Sequence, residues 1–247
     1  MGIKKKSKIK FSLIIPCYNE SRNIEYLLKR SKPLLKLSNF EMILVNNGST
    51  DDTDLKFNKS RKIKNLSFIK INKNIGFGHG VMKGLKKAKG EIIGYTHADY
   101  QTDPLDFYKI IKTNNFNKND KIFIKGYRNN KLINNWSFLD CFLTFAQSIF
   151  QSIFLVTRMY DIHSQPNIFS KSLINIKKNY PSDFMIDTYF YYLAKNNHYK
   201  INRFNVTFNK RHRGYGVGNN DTLYKNIKGI FRHIFGTFLL IKTLIFN

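Results

Sequence analysis

The chain has 247 residues, 42% hydrophobic and 15% aromatic, which is enough to bury a core and excludes a disordered polymer. Lysine and arginine number 42 against 16 aspartates and glutamates, a formal charge of +26 that points to nucleic acid, an anionic membrane surface or a phosphate-rich ligand, on a scattered lysine and asparagine background. Cys17 and Cys141 lie far apart and have no metal-ligand spacing, which excludes a disulfide framework or a zinc site and fits a reducing, cytoplasmic setting.

The N-terminal MGIKKKSKIK is too charged for a secretory signal, and position six is Lys6 where a myristoylation pattern needs serine or threonine. Residues 1–10 read as a solvated or lipid-facing basic tail. From Phe11, FSLIIP is a short branched apolar run stopped by Pro16, which predicts a buried strand. IEYLLKRSKPLLKL, residues 24–37, spaces its apolar residues as a helix does. EMILVN, residues 41–46, predicts a second strand running into the turn Asn47-Gly48-Ser49-Thr50-Asp51-Asp52. A third, LSFIKIN at 66–72, ends in the glycine turn Asn74–Gly80, and a helix over residues 81–90 follows it. The fourth, EIIGYT at 91–96, ends at His97-Ala98-Asp99.

Strands alternating with helices predict an α/β unit with a mainly parallel sheet, and such sheets bind ligands at the carboxyl ends of their strands. Each polar cluster falls at such an end, which places a single site there. The second half changes character. Residues 136–156, WSFLDCFLTFAQSIFQSIFLV, approach the length of a membrane span, but Asp140, Gln147 and Gln151 interrupt them. An amphipathic helix against the core or the bilayer surface fits, with a buried core helix as the alternative. Residues 222–247 combine Lys225, Lys228, Arg232 and Lys242 with IFGTFLLIKTLIF, too short and charged to span but suited to an anionic interface.

The glycines of Asn74–Gly80 run G-x-G-x-G, not the dinucleotide G-x-G-x-x-G, and no Gly-Lys-Ser/Thr of a Walker loop occurs. They allow close backbone approach at a turn or to a ligand. His79, His198 and His233 lack partners at metal spacing and receive no role. Asp99 and Gln101, two apart at a strand end, are oxygen ligands of the kind a divalent cation uses when phosphates and water supply the rest.

Together IIPCYNE, LVNNGSTDDT, NIGFGHGVMKG and HADYQ, in this order within the first hundred residues, resemble glycosyltransferase family 2, and within it the polyisoprenyl-phosphate and dolichol-phosphate sugar synthases. The resemblance covers residues 11–128 best. It implies a Rossmann-like glycosyltransferase A-type fold, a mainly parallel central sheet flanked by helices. The expected domains are the catalytic domain over 11–221 and, from the residues of the last segment, a C-terminal amphipathic, membrane-associated helical extension over 222–247. The resemblance makes Pro16, Tyr18 and Glu20 contacts to the base and ribose of a nucleotide-diphosphate sugar, with Val45 and Asn47 lining the base pocket. His97 and Ala98 line the donor site, and Asp99 and Gln101 become ligands of Mg2+ or Mn2+. Gly126-Tyr127-Arg128 matches the family's G-S-R, whose arginine faces the phosphates. Arg211-His212-Arg213-Gly214 matches its R-x-x-G, a loop that closes over the diphosphate.

The departures define what is open. Asn46 and Asn47 replace two aspartates, and asparagine can donate as well as accept, so the donor base is not fixed. His97 replaces the first aspartate of D-A-D and tilts the site toward Mn2+. Gly216 and Val217 stand where the family has serine and lysine, and the further arginine that lipid-phosphate synthases carry after G-S-R has no counterpart in NNKLINNW. The expected reaction is an inverting, metal-dependent transfer to polyprenyl phosphate at the membrane surface, by a peripheral protein of the cytoplasmic face. A phosphate acceptor needs no general base. In the alternative, a sugar hydroxyl of a cell-surface glycan accepts and Asp187 is the base, unless that residue is only a helix N-terminal charge. Asp161-Ile162-His163-Ser164-Gln165-Pro166 reads as a structural turn near the acceptor side, with His163 or Gln165 as possible substrate contacts. A donor-binding protein without turnover is a further reading. The opposing class is a basic nucleic-acid or membrane-binding module, which explains the charge but not acids and glycine turns at strand ends; no nucleic-acid partner is expected.

Overall fold

The computed structural model describes residues 10–117, 120–128, 138–176, 179–207 and 223–246. Strands β1 (Phe11–Cys17), β2 (Phe40–Asn47) and β3 (Leu66–Ile71) are linked through helices α1 (Ile24–Arg30), α2 (Lys32–Leu35) and α3 (Thr53–Lys59). Helix α4 (Phe77–Lys87) leads to β4 (Ile92–Tyr95), and α5 (Pro104–Thr113) to β5 (Ile122–Arg128). Then follow α6 (Phe138–Phe154), β6 (Asn167–Ser170), a 3-10 turn, α7 (Ile186–Asn196), β7 (Lys200–Val206) and α8 (Leu223–Ile245). One sheet runs β3-β2-β1-β4-β6-β5-β7, with β6 antiparallel to both neighbours and the other pairs parallel.

The sheet is covered on both faces, so β1 reads as a continuous apolar run. Ile14, with Ile43 and Val45 of β2, joins the core shared with Val81 and Leu85 of α4 and Phe190 of α7. Leu13 and Ile15 point the other way, into the core shared with Leu27 of α1 and Phe107 of α5.

Three boundaries depart from the sequence pattern. First, β1 passes through Pro16 to Cys17. Thr96 N donates to Ile14 O at 3.1 Å, so Ile14 turns its backbone groups toward β4, and the next residue so oriented is Pro16. There β4 has already ended, and proline brings no N–H needing the missing rung. Second, the predicted helix over 24–37 is two helices, because Pro33 in the first turn of α2 has no amide to carry the ladder on from α1. Third, α4 starts at Phe77, inside the predicted glycine turn. Its glycines admit protein: an added Cβ would lie 2.4 Å from Pro181 O at Gly78, 2.9 Å from Asn47 Cγ at Gly80 and 2.3 Å from Ile14 Cγ2 at Gly84.

Helices α6 and α8 pack side by side over the α4–α7 face, with α8 laying Leu240 and Leu244 into that core. As expected for 136–156, α6 is amphipathic and not the alternative buried core helix, but its inward side is the polar one. Ser148 and Gln151 are buried while Phe142, Phe145 and Ile153 are exposed.

Candidate active site

Strands β1 to β4 are parallel, and the reversal at β6 makes β5 run with β4 and β7 with β5, so six strands end at one edge. The chain leaves β1 toward β2 on one side and crosses from β3 to β4 on the other, which makes the β1/β4 crevice the topological switch point. The ladder across it stops at Ile14 and Tyr95, and the strands part beyond.

On the β1 side, Pro16 and Val45 are register partners and Tyr18 is exposed at the mouth. The segment after β1 is clamped to the turn after β2. Asn19, at φ 56°, receives Thr50 N on Oδ1 at 2.8 Å and donates its own N–H to Ser49 Oγ at 3.0 Å. Asp51 accepts from Ser21 N at 3.1 Å, Thr53 N at 3.0 Å and Thr53 Oγ1 at 2.6 Å. Burial pushes its pKa up, but the hydrogen bonds from Thr53 and Ser21 outweigh this and hold it below the ordinary value. Glu20 is buried, with its amide on Thr53 Oγ1 and its carboxylate accepting from Asn23 Nδ2. Asn46 donates to Asp54 Oδ1 at 2.9 Å and accepts from Ser49 N at 2.9 Å. Asn47 donates Nδ2 to Gly76 O at 3.0 Å, and its Oδ1 is buried without a hydrogen-bond partner among the described residues.

On the β4 side, Asp99 Oδ1 accepts from Gln101 N at 3.1 Å, closing a turn in which Tyr100 takes φ 71°. Tyr100 packs on Tyr26 of α1 with ring centroids 4.3 Å apart. Ala98 is buried, whereas His97 is half-buried and tilted against Phe77 at the start of α4, 4.9 Å between centroids. Asp99 and Gln101 are thus presented by a turn pinned on one flank by α1 and on the other by α4. Among the described residues no group of three or more His, Cys, Asp or Glu could hold a metal ion. Oxygens of a bound phosphate and water are the kind of ligand that would complete the shell of an ion at Asp99 and Gln101.

The end of β4 also meets the second half of the chain. Asp187, in the first turn of α7, is buried and accepts on Oδ1 from Tyr95 Oη at 2.7 Å and Asn167 Nδ2 at 2.9 Å, with Gln165 Nε2 at 3.3 Å. His163 Nδ1 lies 3.3 Å from Oδ2. Burial raises its pKa, but the bond from His163, the charge of Lys125 and the bond from Tyr95 outweigh this and leave it below the ordinary value. So many donors make a stable anion and a weak proton acceptor. Lys125, fully buried on β5, donates to Asn167 Oδ1 at 2.7 Å and Ser164 O at 3.0 Å, and burial brings its pKa down to about 7.

Arg128, expected to face phosphate, is buried against Asp161. Its amide donates to Oδ2 at 2.8 Å, Nε donates to Oδ1 at 2.8 Å, and Nη2 also reaches Oδ1. The guanidinium fork therefore anchors the loop that carries His163 and Gln165, at a residue, Asp161, held at φ 44°. Arg211 and Arg213 lie outside the described residues.

Sequence reading passed over part of this cluster. Gln147 Nε2 stands 2.7 Å from His163 Nε2 and 2.9 Å from His233 Nδ1, so His233 joins the network that holds Asp187. Burial, with the charges of His163 and Arg232, drops the His233 pKa to about 3, and this ring stays neutral. Lys125 carried a legible signal: a lone lysine in IFIKGYR on the same side as the buried Phe123. The glutamine and histidines had none, since their partners lie on four separate elements.

The family profile described as Glycosyl transferase family 2 matches residues 12–195. The chain belongs to glycosyl transferase family 2. Among curated relatives of this family member, the dolichol-phosphate mannosyltransferase of Pyrococcus furiosus is 31% identical over 130 residues, 53% of this chain and 37% of that protein. The undecaprenyl-phosphate 4-deoxy-4-formamido-L-arabinose transferase of Pseudomonas savastanoi pv. phaseolicola is 32% identical over 108 residues, 42% of this chain and 32% of that one. The matches thus span well under half the length of these relatives. Among solved structures, glucosyl-3-phosphoglycerate synthase of Mycobacterium tuberculosis, with Mn2+, UDP-glucose and glycerol 3-phosphate, superposes with TM-score 0.67 at 16% identity, over 95% of this chain and 80% of that one. The mannosyltransferase PcManGT of Pyrobaculum calidifontis, with GDP-Man and Mn2+, gives 0.60 at 18% identity over 85% and 59%. These likenesses confirm the glycosyltransferase A-type fold.

Proposed function

We propose that this family 2 chain moves a sugar from a nucleotide-diphosphate donor to a polyprenyl phosphate at a membrane surface, with inversion at the anomeric carbon. The observation that carries this reading is the β1/β4 crevice, lined by Tyr18 and Glu20 on one side and His97 to Gln101 on the other. The base and ribose lie against Pro16, Tyr18, Glu20, Val45 and Asn47. The buried acceptor Asn47 Oδ1 then meets a base N–H, which satisfies an otherwise orphaned group.

Asp99 and Gln101 fit Mg2+ or Mn2+ because both offer hard oxygens on a fixed turn. The ion, when bound, neutralises charge on the departing diphosphate. An acceptor phosphate oxygen forms the new bond to the anomeric carbon from the far face, and the bond to the β-phosphate breaks with its electron pair leaving on the diphosphate. Arg211 and Arg213 supply positive charge for that diphosphate. Arg128 acts as a positioning residue through Asp161. The phosphate acceptor is favoured over a sugar hydroxyl because Asp187, the base that a hydroxyl would need, is saturated with donors. The relatives named for dolichol-phosphate and undecaprenyl-phosphate transfer support the same choice.

The test is a panel of UDP-, GDP- and dTDP-sugars with polyprenyl phosphate, with and without Mn2+ or Mg2+, reading hydrolysis and transfer separately. Metal-dependent transfer of one sugar is expected. No metal-dependent nucleotide binding, together with salt-sensitive DNA binding, overturns the reading in favour of a nucleic-acid module.

A further inference from the structure

Helix α6 is built inside out, and α8 beside it is apolar on its outward side as well as where Leu240 and Leu244 enter the core. The inward side of α6 carries Thr144, Gln147, Ser148, Gln151 and Ser152, and its outward side Phe138, Phe142, Phe145, Ile149 and Ile153. A water-facing helix of a globular domain shows the opposite arrangement. Polar contacts fasten α6 to its neighbours: Gln147 to His163 and His233, and Gln151 Nε2 to Thr237 Oγ1 of α8 at 3.2 Å. Along the seam, Phe238 packs edge-on against Phe154, 5.2 Å between centroids.

The outward side of α8 continues the surface with Phe231, Phe235, Phe238, Leu239 and Ile245. Of the twenty-one large hydrophobic side chains exposed among the described residues, fifteen fall within 138–156 and 230–246. So many exposed apolar side chains gathered on two adjacent helices form an apolar plate of the kind that marks an interaction surface. Neither helix spans a bilayer, since among the described residues no helix is long and apolar enough. The cations Lys228, Arg232 and Lys242 of α8 are exposed along the plate, and residues 223–246 contain no acid.

We propose that the outer face of the α6–α8 pair is a bilayer-docking surface that lies in the headgroup region of an anionic leaflet. This deepens the membrane part of the function proposed above and rests on that reading only for the identity of the acceptor. The charges decide between occupants. Two copies placed plate to plate bring like cations together, whereas an anionic leaflet neutralises them and takes up the phenylalanines. The depth follows from the polar underside. Gln147 lies 2.7 Å from His163, and His163 lies 3.3 Å from Asp187, so the acceptor end of the site sits one layer of side chains above the plate. A phosphate carried on a lipid reaches that level without leaving the membrane.

The experiment is sedimentation of the full chain with vesicles of phosphatidylcholine alone or mixed with phosphatidylglycerol, without nucleotide. The variants are Phe142→Glu with Phe145→Glu on α6, and Phe231→Glu with Phe235→Glu on α8, all four exposed residues whose change leaves the core intact. Wild type is expected to bind the anionic vesicles, and each double variant to bind about tenfold less or weaker still. Metal-dependent nucleotide binding, measured on the same samples, stays unchanged in both variants. Wild type that ignores anionic vesicles, or variants that bind them as wild type does, overturns the proposal. So does a result in which the substitutions only convert a dimer to a monomer in sedimentation velocity while vesicle binding persists. Failure of nucleotide binding in wild type, with vesicle binding as expected, instead removes the transferase reading and leaves the docking surface standing.

Discussion

The hydroxyl of Tyr95 donates to Oδ1 of Asp187 at 2.7 Å, tying the end of the fourth strand to the first turn of α7 across 92 residues of sequence. This bond joins the two halves of the chain at the site, because the turn that presents Asp99 begins one residue after Tyr95. Burial, the charge of Asp187 and its hydrogen bond raise the Tyr95 pKa well above the ordinary value, so the phenol remains a donor.

Asp99→Ala is expected to cut transfer at least about a thousandfold while the protein stays folded, since loss of the bond to Gln101 N costs about 1 kcal/mol. Sugar transfer and thermal melting of the same sample check this. Near-normal turnover would move the metal site elsewhere.

Asp187→Asn removes a buried, paired anion and should destabilise the fold by about 3 kcal/mol at neutral pH. The carboxyl is held below its ordinary pKa in the fold, so its contribution is complete above about pH 4 and fades as pH falls further. Urea midpoints of wild type and variant should therefore converge in acid. In the folded variant, transfer to a phosphate acceptor should fall by less than about tenfold; a loss of a thousandfold or more with the fold intact would restore Asp187 as a base.

Lys125→Met tests the buried lysine. In the unfolded chain a lysine keeps its proton to about pH 10, whereas in the fold burial brings Lys125 down to about 7. Between these values the unfolded state binds more protons, so wild-type stability should rise with pH relative to the variant. Paired urea titrations from pH 6 to about 10 read the slope directly.

Gly78→Ala and Gly80→Ala should differ. At Gly78 a Cβ meets the backbone carbonyl of Pro181 at 2.4 Å, which cannot yield; at Gly80 it meets the Asn47 side chain at 2.9 Å, which can rotate. Gly78→Ala is expected to cost about 2–3 kcal/mol, and Gly80→Ala less than about 1.5 once helix propensity is credited. Gly80→Ala should nevertheless weaken nucleotide binding, because it displaces Asn47 from Gly76 O. Chemical denaturation and nucleotide titration separate the two effects.

The first four strands and their edge were legible because each is an apolar run ending in a polar turn, and local pattern alone decides that. Their boundaries were not, since Pro16 and Gly78 obey neighbours distant in sequence: the end of β4 and the carbonyl of Pro181. For the second half, periodicity showed that α6 was amphipathic but not which side faced in. That orientation depends on His163, His233 and Thr237, which approach α6 only after the chain has folded. Asp187 was picked out as an acid in the right region, but its donors Tyr95, Asn167 and His163 come from separate segments and leave no spacing to read.

Pro16 gives the crevice a property that no side chain confers. Where β1 and β4 separate, an ordinary residue would offer an amide hydrogen to any strand drifting back, and the sheet would be free to zip one rung further. With that hydrogen missing from the covalent structure, the ladder between β1 and β4 has no further rung to add at Pro16, and the two strands stay parted there. A ligand that enters between these strand ends therefore has no backbone hydrogen bond of the sheet to break on the way in.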